Sequence, residues 1–219
     1  MLSPYISHID LLSIIVYLSV MAKPSKWNQD HYTKQAKKNN FKARSAFKLQ
    51  EIDTKFNLFA PGRHILDLGC APGSWLQYAA SKCGKSSKLT GVDIKPCEIP
   101  NIEFIHGSIY HVQPDDFSMQ YDIIMSDMAP STTGSAFADT QQSLRLCEAA
   151  WNLACQLLKP GGVFLFKIFQ SPDADEFITG LRPFFAKISR FKPQSTRQKS
   201  NEIYVICQKL RRLEDYCSS

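Results

Sequence analysis

The chain has 219 residues and a mass of 24.8 kDa, with 44% hydrophobic and 21% charged residues, the composition of one soluble domain with a sizeable core rather than of a repeat or low-complexity protein. Its seven cysteines are scattered, odd in number and contain no C-x-x-C pair, which argues against a disulfide framework or a zinc site and for a reducing compartment. The net charge of +6 is gathered at two basic ends on a slightly acidic body, a pattern that points to a phosphate-binding surface, nucleic acid above all, against the plainer alternative of a solvated face.

At the N-terminus, "LLSIIVYLSVMA" (11–22) is apolar but about twelve residues long, short of the roughly 20 needed to span a bilayer. Asp10 is the only charge before it, so it lacks the positive region of a secretory signal, and with no Arg it does not read as a transit peptide. Met21 opens a conventional polar start, "MAKPSKWNQDHY", and the first twenty residues are expected to be an upstream extension. A basic arm (21–42) follows. Residues 23–48 carry eight Lys or Arg against Asp30 alone.

"ARSAFKLQEIDTKF" (43–56) has Ala46, Phe47, Leu49, Ile52 and Phe56 at helical spacing. "APG" (60–62) breaks the chain, "RHILDLG" reads as a buried strand, and "SWLQYAASKCG" as a helix ending at Gly84. "SKLTGVDI", "IEFIHGSI" and "YDIIMSDMAP" are three further strands. A long helix over roughly 139–158 is closed by Lys159, Pro160, Gly161 and Gly162 before a fifth strand, "VFLFKIFQ". "DADEFITGLRPFF" is helical with a Pro disturbance, and "AKISRFKP" and "EIYVICQKL" are closing strands. Strands alternating with helices define an α/β domain, here 43–212 with a short tail at 213–219, built on a mostly parallel sheet. Such sheets bind ligands beyond the carboxyl ends of their strands. Asp67, Asp93, Asp127 and Lys167 all stand at or near strand ends and so share one rim. Lys167 either snorkels to water from an apolar strand or is held there for use.

"DLGCAPGSW" (67–75) is a glycine turn between the first strand and its helix, where Gly69 and Gly73 permit close approach of backbone to a ligand. It fails the dinucleotide pattern G-x-G-x-x-G. Asp93, closing the second strand, can accept both hydroxyls of a ribose. Together these favour an adenosine-containing cofactor, S-adenosylmethionine (SAM) ahead of NAD.

"ARSAFKL", "DLGCAPGSW", "SDMAP", "FKIFQ" and "SNEIY" occur in this order, and on them the chain over roughly 26–210 resembles the FtsJ/RrmJ family of ribosomal RNA 2′-O-methyltransferases. The resemblance implies a Rossmann-like SAM-dependent methyltransferase fold, a seven-stranded sheet with an antiparallel last strand and helices on both faces. It implies a catalytic tetrad of Lys48, Asp127, Lys167 and Glu202, SAM contacts from Gly73, Trp75, Asp93 and Asp127, and no metal. It also implies a substrate, a uridine ribose of large-subunit rRNA, and ribosomal RNA as partner, with a monomer favoured and no membrane. Where the family usually has an acid after glycine at the end of strand three, this sequence has Ser108, which accepts a hydrogen bond without charge assistance.

Methyl transfer to a 2′-hydroxyl is an in-line displacement that needs alignment and a proton acceptor. Lys167 is the candidate acceptor or, minimally, the group that orients the hydroxyl. Asp127 would hold it, and Lys48 and Glu202 would steer the ribose. Rival readings are a tRNA 2′-O-methyltransferase, a non-catalytic RNA-binding protein of the same fold and an NAD-dependent oxidoreductase. The expected location is cytoplasmic, with mitochondria as the alternative.

Overall fold

A computed structural model describes residues 45–131, 133–197 and 199–211. The expected extension (1–20), the basic arm, the proposed domain limits at 43 and 212 and the tail lie outside the described residues. Four helices appear among them, α1 (Ser45–Phe56), α2 (Ser74–Cys83), α3 (Ala136–Leu157) and α4 (Pro172–Gly180), with one short 3-10 turn at Pro114–Asp116.

The strands are β1 (Ile65–Leu68), β2 (Leu89–Asp93), β3 (Glu103–His106), β4 (Tyr121–Ser126), β5 (Leu158–Phe169), β6 (Phe185–Phe191) and β7 (Glu202–Leu210). They form one seven-stranded sheet in the order β3-β2-β1-β4-β5-β7-β6. Pairings from β3 through β5 are parallel, while β7 inserts antiparallel to both β5 and β6. β1 is buried at all four positions, as expected where helices cover both faces of a parallel sheet.

Alternation along the strands divides the core in two. Phe164, Phe166 and Ile168 of β5, with Val205 and Cys207 of β7, face α3 and α4. Val163 and Leu165 of β5, with Tyr204 and Ile206 of β7, face α1 and α2. Chain order reverses between β1 and β4, so their carboxyl ends part at the switch point where such sheets open a crevice.

Three local expectations are corrected. The turn read as Lys159-Pro160-Gly161-Gly162 is part of β5, which starts at Leu158 immediately after α3. There Leu158 pairs with Tyr121 and Val163 with Ile123, so the extra residues bulge out of the ladder, with Gly161 at φ 80°. The long helix begins at Ala136 rather than 139, because the Ser135 hydroxyl accepts the Ala138 N–H. The next helix stops at Gly180. Pro183 lies in a turn whose N–H groups close back on Ile178 and Thr179.

Candidate active site

Lys167 follows the parity of Val163 and Leu165, which directs it to the face covered by α1 and α2. It is only 6% exposed, so it does not snorkel. Its ammonium donates to the Asp127 carbonyl at 2.6 Å and to Asp127 Oδ1 at 3.0 Å. Asp127 directly follows β4, the parallel neighbour of β5, and this adjacency brings two residues forty positions apart into one ion pair.

Across the antiparallel ladder Lys167 faces Tyr204, and Phe169 faces Glu202. Glu202 and Tyr204 are two apart on β7 and project from the same face. The Tyr204 hydroxyl donates to Asp127 Oδ1 at 2.7 Å. Burial, and then the Asp127 and Glu202 carboxylates, push the pKa of this phenol well above its ordinary value, so it remains a donor. Glu202 accepts a hydrogen bond from Lys48 of α1, whose ammonium also sits 5.6 Å from the centroid of the Tyr204 ring. Two ion pairs, Lys48–Glu202 and Lys167–Asp127, are thus joined through one buried tyrosine.

The placement of Lys48 depends on how α1 docks. Ser45 and Ser74 hydroxyls lie 2.7 Å apart, and Trp75 Nε1 donates to the Ser45 carbonyl at 3.0 Å, tying the start of α1 to the start of α2. At its other end Asp53 accepts the Leu58 and Phe59 N–H groups and the Tyr78 hydroxyl. Glu51 accepts the Gln194 and Ser195 N–H groups, fastening the basic loop between β6 and β7 over this face.

Beside the tetrad a cleft of about 820 Å³ is lined by residues that include Gly69, Asp93, Ser108, Tyr110, Asp127, Met128, Gln142 and Arg145. Gly69 takes φ 79°, and a Cβ there would lie 2.2 Å from Met128 Cγ, so the turn after β1 has no room for a side chain. Asp93 accepts the Ala71 N–H and the Lys95 N–H, each at 2.8 Å, which fixes that turn against β2. Each carboxylate oxygen keeps a further lone pair for a ligand hydroxyl.

Of the residues expected to meet the cofactor, Asp93 and Asp127 line this cleft. Gly73 and Trp75 are not among its lining residues. Gly73 caps α2 at φ 103° against Ile99 and Cys97. The Trp75 indole is 2% exposed and packs in the core, 5.9 Å from the Tyr204 ring, because its one donor is committed to α1.

Tyr204 stands in "SNEIY" with no role in the sequence reading, and its two-residue spacing from Glu202 is the signal that points to it. Asp67 is the other unassigned group. It is 1% exposed, and neither carboxylate oxygen has a hydrogen-bond partner among the described residues. Burial, then the charges of Asp127 and Asp93, raise its pKa well above the usual carboxylate range. An acceptor pair for a ribose at Asp93 and a close-approach glycine turn beside Asp127 fit an adenosine ligand. No group of three or more potential metal ligands occurs among the described residues.

Residues 41–210 match the model of the FtsJ-like methyltransferases. The chain belongs to this family. A relative from Desulfatibacillum aliphaticivorans, named ribosomal RNA large subunit methyltransferase E, is 45% identical over 184 residues, covering 81% of this chain and 89% of its own. One of the same name from Bdellovibrio bacteriovorus is 42% identical, covering 81% and 95%. Among solved structures, a ribosomal RNA methyltransferase assigned to Plasmodium falciparum superposes with a TM-score of 0.68 at 28% identity, covering 78% of this chain and 98% of that one. A Clostridium thermocellum structure at 18% identity and TM-score 0.55 shares the fold. The chain is a methyltransferase of the FtsJ-like family, whose methyl donor is SAM, and the cleft at Gly69 and Asp93 fits that donor.

Proposed function

We propose that this FtsJ-like methyltransferase methylates a ribose 2′-hydroxyl, that of a uridine, in large-subunit ribosomal RNA, with Lys167, Asp127, Lys48 and Glu202 as the working groups. The bound donor supplies an activated methyl group on a sulfonium. The observation that carries the reading is the Lys167–Asp127 contact, in which Asp127 is also a lining residue of the cleft. A lysine has three donor directions, and two of these are committed to Asp127. In this reading the remaining one meets the 2′-oxygen, and along it Lys167, once neutral, would take the hydroxyl proton.

Asp127 fixes the direction of Lys167 and is itself fixed by Tyr204. Lys48 and Glu202 neutralise each other, which leaves the ribose a donor and an acceptor without a net charge in the pocket. The alignment so obtained is worth more here than covalent help, because in-line displacement depends on collinear approach. As the 2′-oxygen gives its proton to Lys167, the negative charge developing on it is met by the ammonium so formed, whose side chain is buried.

The basic loop that Glu51 fastens beside the site would hold the RNA backbone, and the basic sequence of residues 21–42 is expected to add to that grip. A ribosomal RNA substrate is supported by the names of the relatives at 42–45% identity. A cytoplasmic location is supported by the six free cysteines among the described residues. No described helix is long and apolar enough to cross a membrane.

Tritiated SAM offered with large subunits, small subunits, naked rRNA and tRNA tests the substrate. Label is expected on large-subunit RNA, in alkali-resistant dinucleotides that mark 2′-O-methylation. Label confined to tRNA or to a base would refute the proposal. Lys167→Ala should lower turnover by about a thousandfold or more with SAM affinity within about threefold of the parent. Near-normal turnover would remove both the base and the orienting role of Lys167.

A further inference from the structure

The four charged residues give the ribose its partners but leave its base without one. A ribose that offers its 2′-hydroxyl to Lys167 carries a base on the adjoining carbon, and an unstacked base exposes its faces to whatever lies beside it. Alternation along β5 sends Val163, Leu165, Lys167 and Phe169 to one face, the face that carries Tyr204 and Glu202 of β7. Phe169 is therefore the next residue beyond Lys167 on this face, about 7 Å further toward the carboxyl rim.

Its side chain is half-buried, yet it belongs to neither apolar cluster and has no aromatic partner among the described residues. Other aromatics on this flank are committed. Trp75 and Tyr204 are buried, and Phe191 packs edge-on against Phe56 beside the Lys55 ammonium.

A single half-exposed Phe is ordinary on a protein surface. What sets this one apart is its place. It faces Glu202 across the ladder, and Glu202 holds Lys48. The ring thus stands beside one ion pair of the site and two residues beyond the lysine of the other. The backbone beneath it is fixed from two directions. The Phe169 N–H donates to the Ser143 hydroxyl of α3 at 3.0 Å. Further out, the Gln170 N–H donates to the Asn201 carbonyl at 2.9 Å, and Asn201 Nδ2 donates back to the Gln170 carbonyl at 2.7 Å. These two bonds close the strand pair beyond Phe169 and Glu202.

We propose that Phe169 is the stacking platform for the base of the nucleotide being methylated, which leaves its RNA stack to lie against the ring while its ribose meets Lys167. This rests on the 2′-O-methylation reading above and deepens it. Stacking on a ring tolerates any base, so Phe169 selects an extruded or single-stranded nucleotide rather than a sequence.

The test compares Phe169→Leu, which keeps an apolar side chain without an aromatic face, with Phe169→Tyr, which keeps the face. On large subunits kcat/KM should fall about tenfold to a hundredfold in Phe169→Leu and stay within about threefold of the parent in Phe169→Tyr. SAM affinity should stay within about twofold in both, and Tm within about 2 °C, since the ring fills no core. A stack is told from mere support of the strand on the RNA side. Once labelling has located the target, a large-subunit rRNA transcript is made with an abasic ribose at that position. Its affinity for enzyme loaded with S-adenosylhomocysteine should fall about tenfold for the parent and less than about twofold for Phe169→Leu.

Equal losses in the two enzymes, or parental kcat/KM in Phe169→Leu, would overturn the proposal and leave the methyl-transfer reading standing. A loss that Phe169→Tyr shares would overturn it in favour of a packing role. If the parent neither labelled nor bound rRNA, the substrate reading would fall first and take the platform with it, whatever the Phe169 variants did.

Discussion

Tyr204→Phe is the most searching single change, because it removes one hydroxyl and nothing else. The ring stays, together with its packing 5.9 Å from Trp75 and the Lys48 ammonium 5.6 Å from its centroid. What is lost is the 2.7 Å hydrogen bond to Asp127 Oδ1. A bond to a charged acceptor contributes about 1.5 to 3 kcal/mol. Asp127 keeps Lys167 at 3.0 Å and is 19% exposed, so water can reach part of the vacated lone pair. The expected loss of stability is therefore toward the lower end, about 1 to 2 kcal/mol, or a Tm lower by about 2 to 8 °C in a domain of this size.

The catalytic consequence follows from the same bond. With one of its two side-chain donors gone, the Asp127 carboxylate can rotate, and Lys167 loses its fixed direction. A tenfold fall in kcat corresponds to about 1.4 kcal/mol, and this is the expected size, with KM for SAM within about twofold. Urea unfolding and single-turnover kinetics on the four members of a Tyr204→Phe/Asp127→Asn cycle measure it. Coupling of about 1 kcal/mol is expected. Additivity within about 0.3 kcal/mol would refute the claim that Tyr204 acts through Asp127.

Further outcomes are specific to single residues. Burial and the neighbouring Asp127 and Asp93 raise the Asp67 pKa, so the folded state resists its ionisation. Stability is thus given up as pH rises from the ordinary carboxylate value of about 3.9 toward the raised one. Asp67→Asn should be more stable than the parent at pH 7 by urea titration, with the advantage vanishing near pH 4. Asp122 behaves oppositely. Burial raises its pKa, but the His64 N–H, Lys159 and Arg63 outweigh that and lower it. Its contribution is full above about pH 4 and is lost as pH falls through the depressed value. Asp122→Asn should then be destabilised at pH 7, with the difference closing in acid. Ser108→Asp places a charged acceptor on the cleft wall and should tighten SAM by about fivefold in calorimetry; an unchanged Kd would show that Ser108 does not meet the adenine.

The convergence of Lys48, Asp127, Lys167 and Glu202 was legible because each sits in a short motif at a strand end or on an apolar helix, and α/β topology sends those ends to one rim. Lys167 could be singled out because "VFLFKIFQ" sets an ammonium among apolar neighbours, where it either snorkels to water or is held for use. The bulge at Lys159–Gly162 was not legible. Pro and Gly after a helix read equally as a stop, and only pairing of Leu158 with Tyr121 draws them into the sheet. The place of Trp75 was not legible for a related reason: an aromatic beside a glycine turn can face a ligand or fill a core, and the docking of α1, through the Ser45 carbonyl, sets its indole in the core.

Tyr204 shows most plainly what local sequence withholds. Its neighbours mark a strand, but its meaning comes from the ladder that sets it against Lys167 and from the parallel pairing that delivers Asp127 beside both. Three strands must be in register before the hydroxyl finds its acceptor. A slip of one residue in β7 would turn Tyr204 and Glu202 to the opposite face and send Ile203 inward in their place. The apolar alternation that prevents such a slip, with Val205 and Cys207 on one side and Ile206 on the other, is what keeps the two ion pairs on a single flank. Fold stability and site geometry therefore share one determinant, and substitutions that reverse the parity of β7 should abolish both together.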